Sequence, residues 1–402
     1  MNRTELVVDW LKANLFRSVI DSIVSVVVGA LAVFALFRLV RFVFVTGRWE
    51  IIEVNLSLLI TGVWPEAEMW RLVATLLAAG FVGGLVVGFV ARSREIEAGI
   101  EPGPIRPGRR LGQLVSRLWP LLLGVGLLLL LSRTIMPTLL VLAVVGAVVV
   151  GRLVGRRLPR RSTTPLAVFA VLTLIGTVFL MVNGVGLDDW GGVVLNLFLA
   201  AFSITLCFPL GVMLALGRRS QYPVIRLLSV GYIELFRGAP LIALLLMADV
   251  TIGFFVPQSI VPSTPVRAIV VFTLFTAAYM AEVVRGGLQS VPSGQVEAAK
   301  ALGLSPISTT FRIVLPQALR NVIPAIVGQF ISLFKDTTLA GAAMGLRELL
   351  NAAQAATAQA QFRGQGLIVE TTIFVLFLFW VGAFTMSRES QRLERRLGVG
   401  NR

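Results

Sequence analysis

"EAAKALGLSPISTTFRIVLP", from Glu297 to Pro316, lies between two strongly apolar runs of a very apolar chain. Its twenty residues are too polar and too interrupted to cross a bilayer, so they mark a place where the chain leaves the membrane and turns back. Pro292 and Ser293, just upstream, read as a stop and an N-cap, and Gly303 reads as a C-terminal cap. Between them Ala298, Ala299 and Ala301 are strong helix formers with minimal side chains. Ser305 then caps a second helix with Pro306 in its first position, and Pro316 is expected to end it. The expectation is helix, sharp turn, helix. Glu297 and Lys300 give the first of these helices polar edges, and its alanines let it slide into a groove on a partner.

The rest of the chain explains why such a segment has to stay outside. Of 402 residues, 56% are hydrophobic and only 14% are charged, against about 25% in soluble domains. Mean hydropathy is +0.87. Apolar runs long enough to span lie near 18–46, 70–91, 114–132, 134–151, 165–184, 193–216, 227–250, 265–286, 317–335 and 367–386. The fold class is therefore an all-α polytopic membrane protein with about ten transmembrane helices. The third and fourth runs form a hairpin with Arg133 at its tip. The first carries Asp21, Arg38 and Arg41, and its last third has the character of an amphipathic piece lying along the interface. It lacks a short apolar region followed by a cleavage site, so it is expected to be a retained anchor.

Charge placement tests this count. The net charge is +15 with no histidine. Arg92, Arg94, Arg106, Arg109, Arg110 and Arg117 fall in one connection, five arginines in 151–161, three in 217–226, and Arg388, Arg392, Arg395, Arg396 and Arg402 in the tail. The intervening connections are different. That at 47–69 holds Glu50, Glu53, Glu66, Glu68, Trp49 and Trp64, and that at 183–192 holds Asp188, Asp189 and Trp190. Basic and non-basic connections alternate under ten spans, so both termini and the 288–316 loop are expected in the cytoplasm. The positive excess then reflects membrane orientation, and nucleic acid is not expected as a partner. The single cysteine, Cys207, sits in an apolar run, excluding an internal disulfide and a Cys/His metal site; no metal is expected.

Residues 1–187 read as accessory spans with simple basic loops, and 188–402 as the working part, where polar groups enter the spans. "GFVGGLVVG" spaces Gly80, Gly84 and Gly88 by four residues, which lets a neighbouring helix backbone approach closely. Glu234 and Arg237 lie three apart inside one span, and Glu282 and Arg285 repeat that spacing in another. Two readings are open for these pairs: mutual neutralisation that locks helices, or lining of a solute path or gate. Lys335 and Asp336, at the outer end of the ninth span, either recognise a solute bearing both signs of charge or act as a snorkelling anchor. Pro240, Pro324 and Gly328 either break helices at a cavity or are ordinary kinks.

The opening stretch resembles the EAA loop of the membrane subunits of ABC importers. That family's pattern is Glu-Ala-Ala, three residues, Gly, nine residues, Ile, one residue, Leu-Pro. Glu297, Ala298, Ala299, Gly303, Ile313, Leu315 and Pro316 match it at every defined position. "YIELFRGAPLIALLLMA" (232–248), "AAYMAEVVRGGLQSVPSGQ" (277–295) and "FISLFKDTTLAG" (330–341) are similar to polar-amino-acid permeases, with Thr338 where the family more often has serine. The whole chain resembles the long permease subunit of general or acidic L-amino-acid importers, most densely over 188–345. The resemblance implies a type I permease core in the C-terminal half. It implies docking of Glu297, Ala298, Ala299, Gly303, Leu315 and Pro316 on an ATPase. It also implies two ATP-binding subunits carrying ATP and magnesium, a homologous permease, a periplasmic or tethered solute-binding protein, and an L-amino acid as the transported solute in a prokaryotic inner membrane. The chain lacks Gly-x-x-x-x-Gly-Lys-[Ser/Thr], so it cannot cradle ATP itself; no bound cofactor and no catalytic residue are expected. An ion-coupled secondary transporter is the rival. The EAA loop and the lack of a visible inverted repeat weigh against it.

Overall fold

A computed structural model describes residues 3–97 and 107–398; among these it is built from helices, with only two isolated bridges and no strand. Arg106 and Arg402 lie outside the described residues. The chain divides into two compact units, Met1–Glu50 and Ile51–Arg402.

The first unit holds α1 (Arg3–Asn14) and α2 (Val19–Arg41). Ser18 caps α2 by accepting the Asp21 backbone N–H at 3.1 Å, and the Ser18 hydroxyl in turn donates to the Asp21 carboxylate. A π-turn, Phe42–Thr46, runs on from α2 without a break, so the last third of this span is continuous with it rather than a separate interfacial piece.

Two short helices come next, Glu50–Val54, which starts at the boundary residue, and Leu56–Thr61. There follow α3 (Met69–Glu97), α4 (Pro107–Leu131), α5 (Met136–Arg157), α6 (Thr163–Gly184), α7 (Gly192–Arg218), α8 (Pro223–Gly238), α9 (Leu241–Val250), α10 (Thr264–Ser290), α11 (Ser293–Ala301), α12 (Leu315–Asp336), α13 (Leu349–Ala358) and α14 (Ile368–Leu397). By length and composition, α2 with its π-turn, α3, α5, α6, α7, α10 and α14 are long and apolar enough to cross a membrane. The other three expected spans are helical as well. The apolar part of α4 is short, the seventh span is split into α8 and α9, and Gln317, Arg320, Asn321 and Gln329 lower the apolar average of α12. The split falls at Ala239 and Pro240, both extended, because Pro240 lacks the N–H that would continue α8. Pro324 and Gly328, by contrast, sit inside an unbroken α12.

Side-chain bonds sort the connections into two ends. At one end Arg133 pairs with Glu53 at 3.1 Å, Trp64 meets Trp190 with centroids 5.3 Å apart, Asp188 accepts the Thr264 N–H at 3.2 Å, and the Gly192 N–H donates to the Arg347 carbonyl at 2.8 Å. At the other end Arg156 pairs with Glu95 at 2.8 Å, Arg117 donates to Glu389 at 3.0 Å, Arg219 reaches the Leu288 carbonyl at 3.4 Å, and Asn321 donates to Ser290 at 2.9 Å. Within this unit, the two sets alternate along the chain as the charge pattern predicts.

Helices approach through small residues, as expected where lipid provides no hydrophobic drive between helices. A Cβ on Gly84 would collide with the Val148 carbonyl, and one on Gly88 with that of Arg152. The contact is reciprocal: Gly151 and Gly155 of α5 lie against the Phe81 and Leu85 carbonyls of α3. The hairpin's arms diverge. α5 packs on α3, whereas α4 packs on α14 through Trp119, Trp380 and Phe384. α10 is the centre of the C-terminal half, touching α7, α8, α9 and α12, with Phe272, Ala277, Ala278, Met280, Ala281 and Val284 wholly buried.

The segment before α3 is fastened to this core. Ile51, Ile52 and Leu59 are wholly buried, Gln359 donates to Asn55 at 2.6 Å, and the backbones of Gly62 and Gly191 touch so closely that neither has room for a side chain.

Gly83 and Gly84 separate close packing from composition, because a methyl at Gly83 meets nothing within 4 Å. Gly84→Ala should cost about 1–3 kcal/mol, seen as a lower melting temperature in detergent, while Gly83→Ala should leave the melt unchanged. Equal melts would contradict the α3–α5 contact.

Candidate functional site

α11 ends as the sequence predicts. Gly303 adopts the left-handed region at φ +74°, its N–H donates to the Lys300 carbonyl at 2.9 Å, and the Leu304 N–H donates to the Ala299 carbonyl at 3.0 Å. The N-cap position is Pro292, and Ser293 is the first helical residue rather than the cap. Ser305 does cap the next turn, accepting the Ser308 N–H at 3.3 Å with Pro306 following it. The expectation that Pro316 ends the second helix is corrected. A π-turn over Thr310–Val314 leads straight into α12, and Pro316 occupies the first turn of α12. The wider turn, closed by the Leu315 N–H on the Thr310 carbonyl, accommodates a residue with no N–H of its own.

Ala299 is buried and Val314, Leu315 and Val296 join the core cluster around Leu288 and Ala318, so the loop is fixed to α10 and α12. Gln317 adds a hydrogen bond to Gln295 at 3.1 Å. Glu297, Ala298, Gly303 and Pro316 are exposed. Three further side chains, which the motif does not mark, stand out from the same loop: Leu302 at 80% exposure, Ile307 at 73% and the exposed Phe311. These three apolar side chains are left uncovered on a loop that is otherwise anchored to the core.

The charged pairs come together about 12 Å in from the loop end of α10, eight residues before Ser290. Glu282 is the hub. It pairs closely with Arg218 of α7, with Arg285 at 2.9 Å, and with Arg237 of α8 at 3.9 Å. Arg218 also reaches Glu234 at 3.5 Å. Sequence reasoning missed Arg218, which reads as an ordinary basic residue at the end of a span; its close partner Glu282 lies 64 residues on, so it carries no local signal. Spacing alone also gave the wrong pairing for Glu234, whose partner is Arg218 rather than Arg237.

Lys335 and Asp336 are elsewhere. They end α12 beside Thr337, and Thr337 accepts from the Asn196 amide at 2.9 Å near the start of α7. Asn196 and Arg218 are 22 residues apart on one helix, about 30 Å. The two groups of candidates therefore mark opposite ends of the bundle. Around Thr337 lies a buried polar knot: Asn196 accepts the Leu349 N–H at 2.9 Å and donates to Glu348 at 3.4 Å, and Glu348 accepts the N–H groups of Leu350 and Asn351, each at 2.8 Å, capping α13. Burial pushes the Glu348 carboxyl above its ordinary value, against those donors, which pull it down.

Glu282→Gln would take the counter-charge from Arg285 and leave Arg218 with only Glu234, at 3.5 Å. It should cost about 3 kcal/mol in a detergent melt, whereas Glu234→Gln, on an exposed side chain, should cost under about 1 kcal/mol. Similar losses would show that Glu282 is not the hub.

The chain matches the family profile of the binding-protein-dependent transport system inner membrane component over residues 207–399. It is 40% identical over 262 residues to the inner membrane amino-acid ABC transporter permease protein YhdY of Escherichia coli, covering 64% of this chain and 70% of that protein. It is 36% identical over 350 residues to the glutamate/glutamine/aspartate/asparagine transport system permease protein BztC of Rhodobacter capsulatus, covering 87% of this chain and 78% of that one. That second likeness extends well into the N-terminal half. A crystal structure of an amino acid ABC transporter with histidines aligns at 26% identity with a TM-score of 0.45, covering 56% of this chain and 97% of that one. The likeness to YhdY and BztC, at 40% and 36% identity over more than two thirds of each, sets aside an ion-coupled secondary transporter: the chain belongs to the binding-protein-dependent transport system inner membrane components, the permease subunits of ABC importers.

Proposed function

We propose that this chain is the translocating subunit of an ATP-driven importer of polar L-amino acids, of the general or acidic kind. The relatives' names support the solute class: YhdY is an amino-acid permease protein, and BztC serves glutamate, glutamine, aspartate and asparagine. The observation that carries the mechanism is the loop 288–316. Its alanine helix is capped by Gly303, the loop beyond it presents Leu302, Ile307 and Phe311 outward, and the turn that Ser305 caps runs through a π-turn into α12 without a break. An ATPase subunit docks there, on Glu297, Ala298, Ala299 and Gly303, with Leu315 and Pro316 relaying its movement into α12. Because α10 and α12 flank the loop, closure of the ATPases tilts both helices and switches the cavity between inward- and outward-facing.

The full importer then holds two ATP-binding subunits, which carry ATP and magnesium, and a homologous permease, with a periplasmic or tethered binding protein that delivers the solute. This chain binds no cofactor and catalyses no reaction. The basic end of the bundle, with the loop, faces the cytoplasm, and by the charge pattern both chain termini lie on that side of the membrane. Residues 1–187 act as accessory spans on a permease core of 188–402. Glu234 and Arg237 line or gate the path near its inner end, where Glu282 and Arg285 hold helices together, and Lys335 and Asp336 stand near its outer end.

Deletion of Ala298–Gly303, or the milder pair Leu302→Asp and Ile307→Asp, should abolish ATP-dependent uptake of labelled amino acids and release the ATPase on purification. Membrane insertion should be unchanged. Undiminished uptake with either variant would refute the docking role.

A further inference from the structure

The charged cluster divides into two parts with different exposure. Glu282 has a side chain only 18% exposed and is held by Arg218 and Arg285. On α8, one helix away, Glu234 is 57% exposed and Arg237 is 37% exposed. Among the described residues each has one long ion-pair contact, Glu234 to Arg218 at 3.5 Å and Arg237 to Glu282 at 3.9 Å. The carboxylate and the guanidinium thus keep unused hydrogen-bonding capacity, and they sit three residues apart, as neighbours on one helix.

The surroundings make room for a ligand. Gly231 and Gly238 lie one turn to either side of Glu234, and a Cβ on either would meet nothing within 4 Å. Arg237 stands over the Tyr279 ring at 5.8 Å, and Tyr279 and Phe275 form an aromatic pair at 5.0 Å. A carboxylate exposed at this depth to hydrocarbon is costly, so this face of α8 opens on water or protein rather than lipid.

Resting on the importer reading above, we propose that Glu234 and Arg237 bind the head group common to all α-amino acids, whereas Glu282, Arg218 and Arg285 are a structural lock. Arg237 receives the α-carboxylate, for which a guanidinium fork is the matching donor, and Glu234 receives the α-ammonium. Such a site reads the zwitterion and leaves the side chain unread, which suits a permease of broad amino-acid range. The two readings left open by the Glu-x-x-Arg spacing are both realised, by different pairs.

The test uses the complete permease–ATPase complex, solubilised without its solute-binding protein, with labelled L-glutamine as probe and L-glutamine methyl ester as competitor. The ester keeps the ammonium and lacks the carboxylate charge. The wild-type complex should bind glutamine saturably and prefer it to the ester by about tenfold. Arg237→Gln should weaken glutamine binding about tenfold and abolish discrimination against the ester. Arg237→Lys should restore part of the discrimination. Glu234→Gln should weaken binding yet keep the discrimination, with melting temperature and subunit composition unchanged.

Several results would overturn the proposal. They are no saturable binding by a wild-type complex that imports glutamine, intact ester discrimination in Arg237→Gln, or loss of the permease pairing in Glu234→Gln, which would assign this face to subunit contact. A wild-type complex that imports no amino acid at all would instead refute the importer reading.

Discussion

Charge in a dry helical bundle has to be met by the protein itself, and at Glu282 one carboxylate meets that demand for three helices. Arg218 comes from α7, Arg285 from α10 and Arg237 from α8, so the hub sets the mutual positions of α7, α8 and α10 at one end of the bundle. α10 is also the most buried helix of the C-terminal half, and its small residues let α7 and α12 approach closely: Gly287 lies against the Ala318 carbonyl, and Gly211 of α7 against Met280. A charge hub joined to a close-packed helix is rigid. The loop that leaves α10 at Ser290 therefore starts from a well-defined place.

From there the backbone is mechanically continuous. The Gly303 cap turns the chain sharply, the π-turn absorbs Pro316, and α12 runs unbroken to Asp336. Its far end is tied through Thr337 to Asn196 and, through Asn196, to Glu348 at the N-terminus of α13. A push at the loop thus has a helical path to a buried polar knot at the opposite face. Buried polar networks with every member partnered are rigid and respond as a unit.

The N-terminal half has its own physics. α3 and α5 are joined by reciprocal glycines, and α4 leaves its hairpin partner to stack aromatic rings on α14. The short helices before α3 are sealed against α7 and α13, with glycine backbones in direct contact. Backbones that close have no tolerance for side chains. In this way the residues from Ile51 to Gly184 are joined to the C-terminal half by close backbone contact and ring stacking as well as by the Arg117–Glu389 ion pair.

The spans, their alternation, the Gly303 cap, the Ser305 cap and the Gly84 contact were all legible in the residues, because each follows from local rules: apolar length, arginine placement, positive φ and the absence of a Cβ. What the sequence left open is what depends on neighbours distant in the chain. Arg218 and Asn196 show no signal until α7 is packed, Leu302, Ile307 and Phe311 look like core residues until the loop proves too thin to bury them, and Pro316 reads as a terminator until a π-turn makes room for it. The sequence by itself determined a bundle of spans with a capped helix–turn–helix loop on its basic side. Only the tertiary structure decided which charges are buried and closely paired and which are exposed and loosely paired, since burial and pairing are properties of packed helices and not of their spacing.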